Sequence, residues 1–485
     1  MIPARKLAAG ILSNSAAAWA RQASTLVLYT IAARLLDSHQ IGVFALASAL
    51  TLVIEYGVFD PISETVVQRE VLEAGHVGAA LLMVGVAAAG SIVLALLLSG
   101  WLSRVFGVPQ LEQILPWMSG GVAVVCLSAV HAGILRRQGR FHLISLLSAV
   151  SALTACGLGI ALMVLGWGVW SLVIYFVAEK LLLAASMTAW AIRHPASRFS
   201  RRHVGHLAAY AAAISGQRMA FFLRNQMDRL LIAWLWGPDV LGAYQLAARI
   251  LEAVSATLLA PASKLLFVSY AQLQGNAVQL RATFLRSLEA VAFVAFPAYA
   301  GLSAVGPDIV RILFGKSWHE SELILQVLAV GGIPLVASVM SGAVLSAVGR
   351  ARTFLLIELA AAVLGAFVLA ALSRFGIVWI AAALVIRETV IVLIYMIVVR
   401  ETLLTGLARY FGAFGQCLAV TLAMLAFTLA MRHWVVPGLP APASLATIAV
   451  SGAAFYSAIM FATRRTQLVR AMTLLRDQLP RSEGA

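Results

Sequence analysis

The sequence predicts an all-α polytopic membrane protein with about 14 transmembrane helices. Hydrophobic residues make up 62% of the 485 residues, charged residues make up 11%, and the mean hydropathy is +0.94. Soluble domains carry roughly a quarter charged residues. Apolar runs of about 20 residues recur along the whole chain. Lipid offers the backbone no hydrogen-bonding partner, so runs of this kind form helices.

The apolar runs define the predicted spans in order. These are 10–36, 41–67, 77–100, 113–135, 141–165, 167–192, 205–236, 240–270, 284–305, 321–347, 352–373, 376–399, 410–431 and 441–462. Arg5 and Lys6 precede the first run, in the way that basic residues precede the apolar core of a signal peptide. That run is too long for a cleavable apolar core, so we expect it to be retained as the first helix.

The distribution of basic residues predicts the orientation. With the N-terminus in the cytoplasm, 21 of the 35 Lys and Arg residues fall in cytoplasmic segments, 6 fall in outer segments and 8 lie within helices. This asymmetry is the positive-inside pattern of an inner-membrane protein with both termini in the cytoplasm. The net charge of +15 is therefore assigned to topology and to contact with anionic membrane lipids, and we expect no nucleic-acid partner.

Two halves of the chain share one plan. Residues 36–47 resemble residues 236–247, and Pro61 matches Pro261 at the same offset of 200. Both prolines are expected bending points in their helices. Each unit contains an even number of spans, so the two copies have the same orientation in the membrane.

This repeat predicts the domain organisation. The predicted parts are an N-terminal six-helix lobe at 1–192, a basic cytoplasmic linker at 193–204, a C-terminal six-helix lobe at 205–400, and an appended helix pair with a basic cytoplasmic tail at 401–485. The tail carries apolar and basic residues in a pattern typical of a helix on the inner leaflet.

Ionisable side chains inside membrane helices are costly, and here they concentrate on four predicted spans. The first span contains Asn14, Arg21 and Gln22; the second contains Glu55, Asp60 and Glu64; the seventh contains Arg218, Arg224, Asn225, Asp228 and Arg229; the eighth contains Gln245, Arg249 and Glu252. The seventh-span side chains share an arc of roughly 140°. The spacing of Arg249 and Glu252 predicts an ion pair at i and i+3. We expect these faces to point at a polar cavity or at one another.

Two interpretations of these charges stay open. Buried ion pairs that fix helix register are one, and we favour it for the neighbours Glu179–Lys180 and Arg387–Glu388. For the seventh span we favour substrate binding, since three arginines around Asp228 exceed what local pairing needs. Guanidinium forks match phosphate oxygens, so a diphosphate is the expected anion. In the alternative, these arginines only pair with carboxylates and hold the lobes together.

Motifs for catalysis and cofactors do not occur. Gly315-Lys316-Ser317 is similar to the end of a phosphate loop, but Val310 stands where that loop needs glycine. The cysteines Cys126, Cys156 and Cys417 have neither a disulfide nor a metal-ligand spacing. We therefore expect no enzyme activity, no cofactor and no metal.

Several short motifs together resemble a known family. They are Trp19 with Gln22, Ala33-Arg34-Leu35-Leu36, Gly42-Val43-Phe44-Ala45-Leu46-Ala47, Gln217, Arg224-Asn225-Gln226-Met227-Asp228, Trp236-Gly237-Pro238, Leu241-Gly242-Ala243-Tyr244, Leu313-Phe314-Gly315-Lys316-Ser317-Trp318 and Gly349-Arg350. The sequence resembles the bacterial oligosaccharide (polysaccharide) flippases of the multidrug/oligosaccharidyl-lipid/polysaccharide exporter superfamily. It departs from that family at Asp37-Ser38, where Gly-Pro is usual.

The resemblance implies two six-helix lobes around a central cavity lined by the first, second, seventh and eighth helices. It implies that an undecaprenyl-diphosphate-linked oligosaccharide crosses from the cytoplasmic to the periplasmic leaflet by alternating access, for exopolysaccharide, O-antigen or capsule assembly. Polysaccharide polymerase and chain-length proteins are candidate partners. In this scheme the arginines bind the diphosphate and Asp228 keeps them in place. The sugar meets Asn14, Gln22, Asn225 and Gln245.

Two functions of the same superfamily remain as alternatives, a cation-coupled multidrug extruder and a lipid II flippase. Glu55, Asp60 and Glu64 are the candidates for ion coupling. A membrane-embedded glycosyltransferase or ligase would need a large outer loop, and the longest predicted one, at about 306–321, is short.

The charge asymmetry makes a topology prediction. In a variant without the native cysteines, a single cysteine at 239 or 318 should react with a membrane-impermeant thiol reagent added from the periplasm, and one at 198 should not. Periplasmic labelling at 198 would refute the orientation.

Overall fold

The computed structural model describes residues 4–68, 73–191, 201–404, 406–435 and 437–478. The α-helices are α1 (Ala4–Leu35), α2 (Ser38–Ile54), α3 (Asp60–Gln68), α4 (Ala74–Phe106), α5 (Leu111–Leu127), α6 (Ala129–Arg137), α7 (Phe141–Val164), α8 (Val169–Ala191), α9 (Arg201–Gln272), α10 (Ala277–Leu313), α11 (His319–Ala347), α12 (Ala351–Leu372), α13 (Ile377–Leu403), α14 (Leu407–Trp434) and α15 (Ala441–Gln478). No strand occurs in these ranges. The predicted all-α class is confirmed.

The longest helix, α9, breaks at Gly237. Its φ of 84° and ψ of 178° are not helical and are rarely adopted by residues with a side chain. We call the parts before and after this residue α9a and α9b; they correspond to the seventh and eighth predicted spans.

The number of crossings agrees with the prediction. Twelve stretches of the described residues are long and apolar enough to cross a membrane. One of them, Phe222–Gln272, contains the break between α9a and α9b. The 32-residue helix α1 is not among the twelve. Counting α1 and the two parts of α9 separately gives the predicted 14 helices.

The second span is irregular in its middle. A π-helical turn, Glu55–Phe59, separates α2 from α3, and Pro61 is the second residue of α3. Pro261 lies inside α9b, where the backbone stays helical. The two prolines are therefore equivalent in sequence but not in local geometry. Bending at either one during transport stays a prediction.

The Asp37-Ser38 turn retains a well-capped helix start. The Asp37 carboxylate accepts a hydrogen bond of 2.8 Å from the backbone N–H of Gln40. The Gln40 side-chain oxygen accepts one of 3.4 Å from the backbone N–H of Asp37. This capping box satisfies two N–H groups that the first helical turn would otherwise leave unpaired. The departure from Gly-Pro therefore leaves the turn intact.

Two large apolar cores fill the molecule. One contains buried residues of the first half, such as Phe44, together with the ends of α10 and α11 near Phe314 and Leu325. The buried residues of the other core all lie between Leu259 and Met460. The halves thus share a core at the face that carries residues 36–38 and 314–318, which the basic-residue pattern predicts to be periplasmic.

The appended helices α14 and α15 pack against α10. The rings of Phe296 and Phe414 meet edge to face, with their centres 5.8 Å apart. The Tyr456 hydroxyl donates to the backbone carbonyl of Phe293 at 3.0 Å. Residues 193–200 of the predicted linker lie outside the described residues, as do the tail side chains from Arg464 onward. The division into lobes, linker and appended pair stays a prediction.

The halves meet in direct backbone contact at the predicted periplasmic face. A Cβ on Gly42 of α2 would lie 1.7 Å from the carbonyl oxygen of Pro238, and one on Gly242 of α9b would lie 2.0 Å from that of Ser38. Both distances are far below van der Waals contact, so only glycine fits at either position. Nearby, the Ser38 hydroxyl donates to the Asp239 carboxylate at 3.1 Å.

This contact can be tested by cross-linking. In a variant without the native cysteines, Ser38→Cys with Asp239→Cys should form a disulfide on mild oxidation. Adding Gly42→Leu should abolish the cross-link, because the new side chain needs the space that the Pro238 carbonyl occupies. Gly90→Leu is the matched control, since a Cβ there meets nothing within 4 Å. Equal cross-linking in both variants would contradict the backbone contact.

Candidate functional site

The charged side chains of α9a lie in a network that also includes α12 and α13. Arg224 donates to Glu358 of α12 at 2.9 Å and to Glu388 of α13 at 3.1 Å. Arg387 donates to Asp228 at 2.5 Å and to Glu388 at 3.2 Å. We call these five residues the inner cluster. All of its contacts lie within the second half of the chain.

The inner cluster is almost completely shielded from solvent. Glu358 is 1% exposed, Asp228 is 6% exposed, and Arg387 and Glu388 are each 7% exposed. The Tyr395 hydroxyl donates to Oε1 of Glu358 at 2.6 Å, and the same oxygen accepts from Arg224 at 3.0 Å. Buried charges are tolerated when they are paired and hydrogen-bonded in this way.

A second cluster joins α9a to α9b and reaches α1. Arg229 donates to Gln245 at 2.9 Å and to Gln226 at 2.5 Å, and it forms an ion pair with Glu252. Arg249 binds the other oxygen of Glu252 at 3.0 Å. The i, i+3 pair predicted from the sequence is therefore confirmed. We call Arg229, Arg249 and Glu252 the outer cluster.

Tyr29 of α1 connects the outer cluster to the first half. The Arg249 guanidinium lies 4.8 Å from the centre of its ring and donates to its hydroxyl at 3.3 Å. The side chains of Arg249 and Glu252 are 26% and 40% exposed. The outer cluster therefore faces open space where the halves meet, unlike the inner cluster.

The charges of the two clusters cancel only when they are taken together. The inner cluster has two guanidinium groups and three carboxylates. The outer cluster has two guanidinium groups and one carboxylate. Asp228 and Arg229 are sequence neighbours, so the negative excess of one cluster lies beside the positive excess of the other. The outer cluster keeps a cationic character on its exposed side.

The arrangement around Asp228 differs from the one predicted. We expected Asp228 to hold the arginines of its own helix, but its carboxylate binds Arg387 of α13. Arg224 is instead bound by Glu358 and Glu388. The prediction placed all partners on the four cavity helices, whereas α12 and α13 contribute the carboxylates that reach α9a.

The other predicted residues have different surroundings. Arg218 forms an ion pair with Glu64 of α3, and Lys180 of α8 binds Glu55 at 2.8 Å. Both ion-coupling candidates with described side chains are therefore paired with a cation. The side chains of Asn14 and Asp60 lie outside the described residues.

The polar residues predicted to meet a sugar are not equivalent. Gln245 is 1% exposed and its oxygen is bound to Arg229, so it supports the outer cluster. Asn225 is exposed and Gln22 is half-buried. Arg21 is exposed, and no ion pair of its side chain occurs within the described ranges.

The sequence reasoning underrated three residues and missed one. Arg387 and Glu388 were interpreted as a buried ion pair, but the contacts that they and Glu358 make with α9a were not predicted. The sequence analysis gave Tyr395 no role, but its hydroxyl donates a hydrogen bond to Glu358. Its position seven residues after Glu388, on the same face of α13, was the available signal.

The comparison with protein families decides the assignment. A model described as "Polysaccharide biosynthesis protein" matches residues 31–323. The chain belongs to this polysaccharide biosynthesis family.

Several curated proteins are similar to it. The lipopolysaccharide biosynthesis protein WzxC of Escherichia coli (strain K12) is 25% identical over 64% of this chain and 63% of its own length. The teichuronic acid biosynthesis protein TuaB of Bacillus subtilis (strain 168) is 28% identical over 45% of each chain. The succinoglycan biosynthesis transport protein ExoT of Rhizobium meliloti (strain 1021) is 23% identical over 79% of this chain and 78% of its own length. The match thus spans less than two thirds of WzxC and of TuaB.

Solved structures share the fold. The lipid II flippase MurJ in an inward closed conformation superposes with a TM-score of 0.79 at 14% identity, covering 93% of this chain and 99% of that one. An inward-facing multidrug resistance transporter of the MATE family gives 0.59 at 16% identity, covering 81% and 94%. These likenesses establish the transporter-type fold, and the chain is a multi-pass membrane protein of that architecture.

The inner cluster predicts an unequal cost for two arginines. Arg224→Leu leaves the buried carboxylate of Glu358 without a cation and that of Glu388 with Arg387 alone, and we expect a loss of about 3–5 kcal/mol in the free energy of unfolding. Arg224→Leu combined with Glu358→Leu should recover part of this loss. Arg218→Leu is the control, because its ion pair is about one-third exposed and should contribute at most about 1 kcal/mol. Unfolding midpoints in detergent measure all three, and equal midpoints for Arg224→Leu and Arg218→Leu would disprove the structural role.

Proposed function

We propose that this protein is a flippase for a lipid-linked oligosaccharide in the bacterial inner membrane. It moves an undecaprenyl-diphosphate-linked glycan from the cytoplasmic to the periplasmic leaflet for exopolysaccharide, O-antigen or capsule assembly, and it performs no catalysis. Membership in the polysaccharide biosynthesis family and similarity to ExoT, a succinoglycan biosynthesis transport protein, support this proposal. Both termini are cytoplasmic in this scheme, and polysaccharide polymerase and chain-length proteins are its proposed partners.

The outer cluster is the observation that carries the proposal. Arg229 and Arg249 share the single carboxylate of Glu252, so one positive charge is not neutralised within that cluster. A diphosphate entering a low-dielectric cavity loses hydration that fixed cations can replace. Arg249 and the exposed Arg21 provide such cations on the two halves. A neutral solute would gain nothing from this arrangement.

The predicted roles of the arginines are divided accordingly. Arg21, Arg229 and Arg249 bind the diphosphate in this proposal. Arg224 and Asp228, with α12 and α13, position α9a and do not contact the lipid. Gln22 and Asn225 remain the proposed contacts of the sugar, and Gln245, whose amide oxygen is bound to Arg229, supports the outer cluster.

The predicted periplasmic face provides a gate for alternating access. Arg34 donates to the backbone carbonyl of Ile312 at 2.8 Å and to that of Leu313 at 3.1 Å. The Trp318 indole donates to the carbonyl of Ala33 at 2.8 Å. These bonds join the first half to the second, and we propose that they break when the lobes rock to release the glycan. On the opposite face the Arg218–Glu64 pair is the corresponding contact.

Arg249 gives the direct test. Arg249→Ala should reduce transfer of a lipid-linked oligosaccharide across proteoliposome membranes by at least about tenfold, since a charge-assisted contact contributes on the order of 1.5–3 kcal/mol. Arg249→Lys should restore it only in part, because an ammonium cannot make a bidentate contact.

Arg374→Ala is the matched control, because Arg374 is exposed two residues after the end of α12. This variant should transport normally. The unfolding midpoint of each variant separates loss of binding from loss of fold. Normal transport by a folded Arg249→Ala protein would reject the role of the outer cluster.

A further inference from the structure

A cavity lies entirely within the second half, lined by α9a, α9b, α11, α12 and α13. Its volume is about 540 Å³, inside the range of roughly 300–1,000 Å³ that small-molecule sites occupy. Lining residues that bear on its chemistry are Arg224, Lys264, Phe267, Ser338, Phe354 and Tyr395. The cavity extends from the inner cluster to Phe354, which is four residues beyond the turn at Arg350 that the charge pattern predicts to be cytoplasmic.

Lys264 brings an uncompensated cation to this cavity. Its ammonium has no ion pair or hydrogen bond within the described part of the chain, and the lining contains no Asp or Glu. Lys264 lies eight residues before the end of α9b at Gln272, inside the predicted eighth span. Its side chain is exposed on the protein surface, and within a membrane span an exposed cation is costly unless an anion accompanies it. Arg224 also lines the cavity, but its charge is already compensated, because two carboxylates bind its guanidinium.

Ser338 of α11 is a second group that lacks a partner. Its side chain lines the same cavity and is 2% exposed, and its hydroxyl has no hydrogen bond to any described residue. A buried hydroxyl without a partner costs about 1–3 kcal/mol, so such groups in native proteins usually meet a ligand or a water. The unpaired donor and the unpaired cation line one cavity.

We propose that this cavity binds the phosphate of a lipid in the cytoplasmic leaflet. The ammonium of Lys264 supplies the counter-charge and the hydroxyl of Ser338 donates a hydrogen bond to a phosphate oxygen. The aromatic rings of Phe267 and Phe354 contact the first carbons of the lipid chain. The phosphate belongs either to an ordinary phospholipid or to the lipid-linked oligosaccharide before it reaches the outer cluster; only the second source rests on the proposed function.

Binding to purified protein tests the proposal without any transport step. Native mass spectrometry of the detergent-solubilised protein is titrated with phosphatidylglycerol in one series and undecaprenyl diphosphate in another. Lys264→Gln should weaken binding of one of the two lipids by at least about tenfold, as expected for loss of a charge-assisted contact. Lys264→Arg should retain binding, and Ser338→Ala should weaken it by about two- to tenfold. Lys316→Gln is the control, since this exposed lysine lies at the other face.

The outcomes are distinct. A loss confined to undecaprenyl diphosphate assigns the site to the substrate, and a loss confined to phosphatidylglycerol assigns it to a resident phospholipid. Unchanged binding of both lipids to Lys264→Gln overturns the proposal. That result would leave the flippase function standing, because the Arg249→Ala transport assay measures it independently.

Discussion

The pairing of buried guanidinium groups with carboxylates is the constraint on which the second half of the molecule depends. Four arginines and four acidic residues of α9a, α9b, α12 and α13 neutralise one another, with the inner cluster buried and the outer cluster partly exposed. Burying a charge costs several kcal/mol unless its partner has good geometry. Each helix in the network is therefore held at one rotation, because turning it would strand a charge in an apolar surrounding.

This network also distinguishes arginines that share one helix. Arg224 and Arg229 lie five residues apart on α9a, and both were expected to bind substrate. Arg224 faces two carboxylates and has little remaining capacity for an anion. Arg229 shares its carboxylate with Arg249 beside open space. The number of carboxylates for each guanidinium, rather than the number of arginines, decides which groups can receive a phosphate.

Much of the fold was predictable because membrane helices obey strong local rules. Apolar runs located the spans, and the spacing of Arg249 and Glu252 gave a pair within one helix. Helical periodicity gives the direction of a side chain but not the neighbouring helix that it meets. The pairing of Arg224 with Glu358, 134 residues away, depends on how distant helices pack and has no local signal. The π-helical turn Glu55–Phe59 was not predicted either, because a change in the hydrogen-bonding pattern of the backbone leaves the apolar composition of a span unchanged.

The contact between Gly42 and Gly242 has a consequence for the symmetry of the molecule. Gly42 approaches the carbonyl of Pro238, and Gly242 approaches that of Ser38, so the contact is reciprocal under the 200-residue offset. Two-fold related chains meet in this isologous way, with each surface patch facing its own copy. The crossing thus has the form of the interface in a two-fold homodimer, although both halves belong to one chain. Both approaches must therefore open together when the neighbouring contacts of Arg34 and Trp318 break, since one pseudo-two-fold axis relates them.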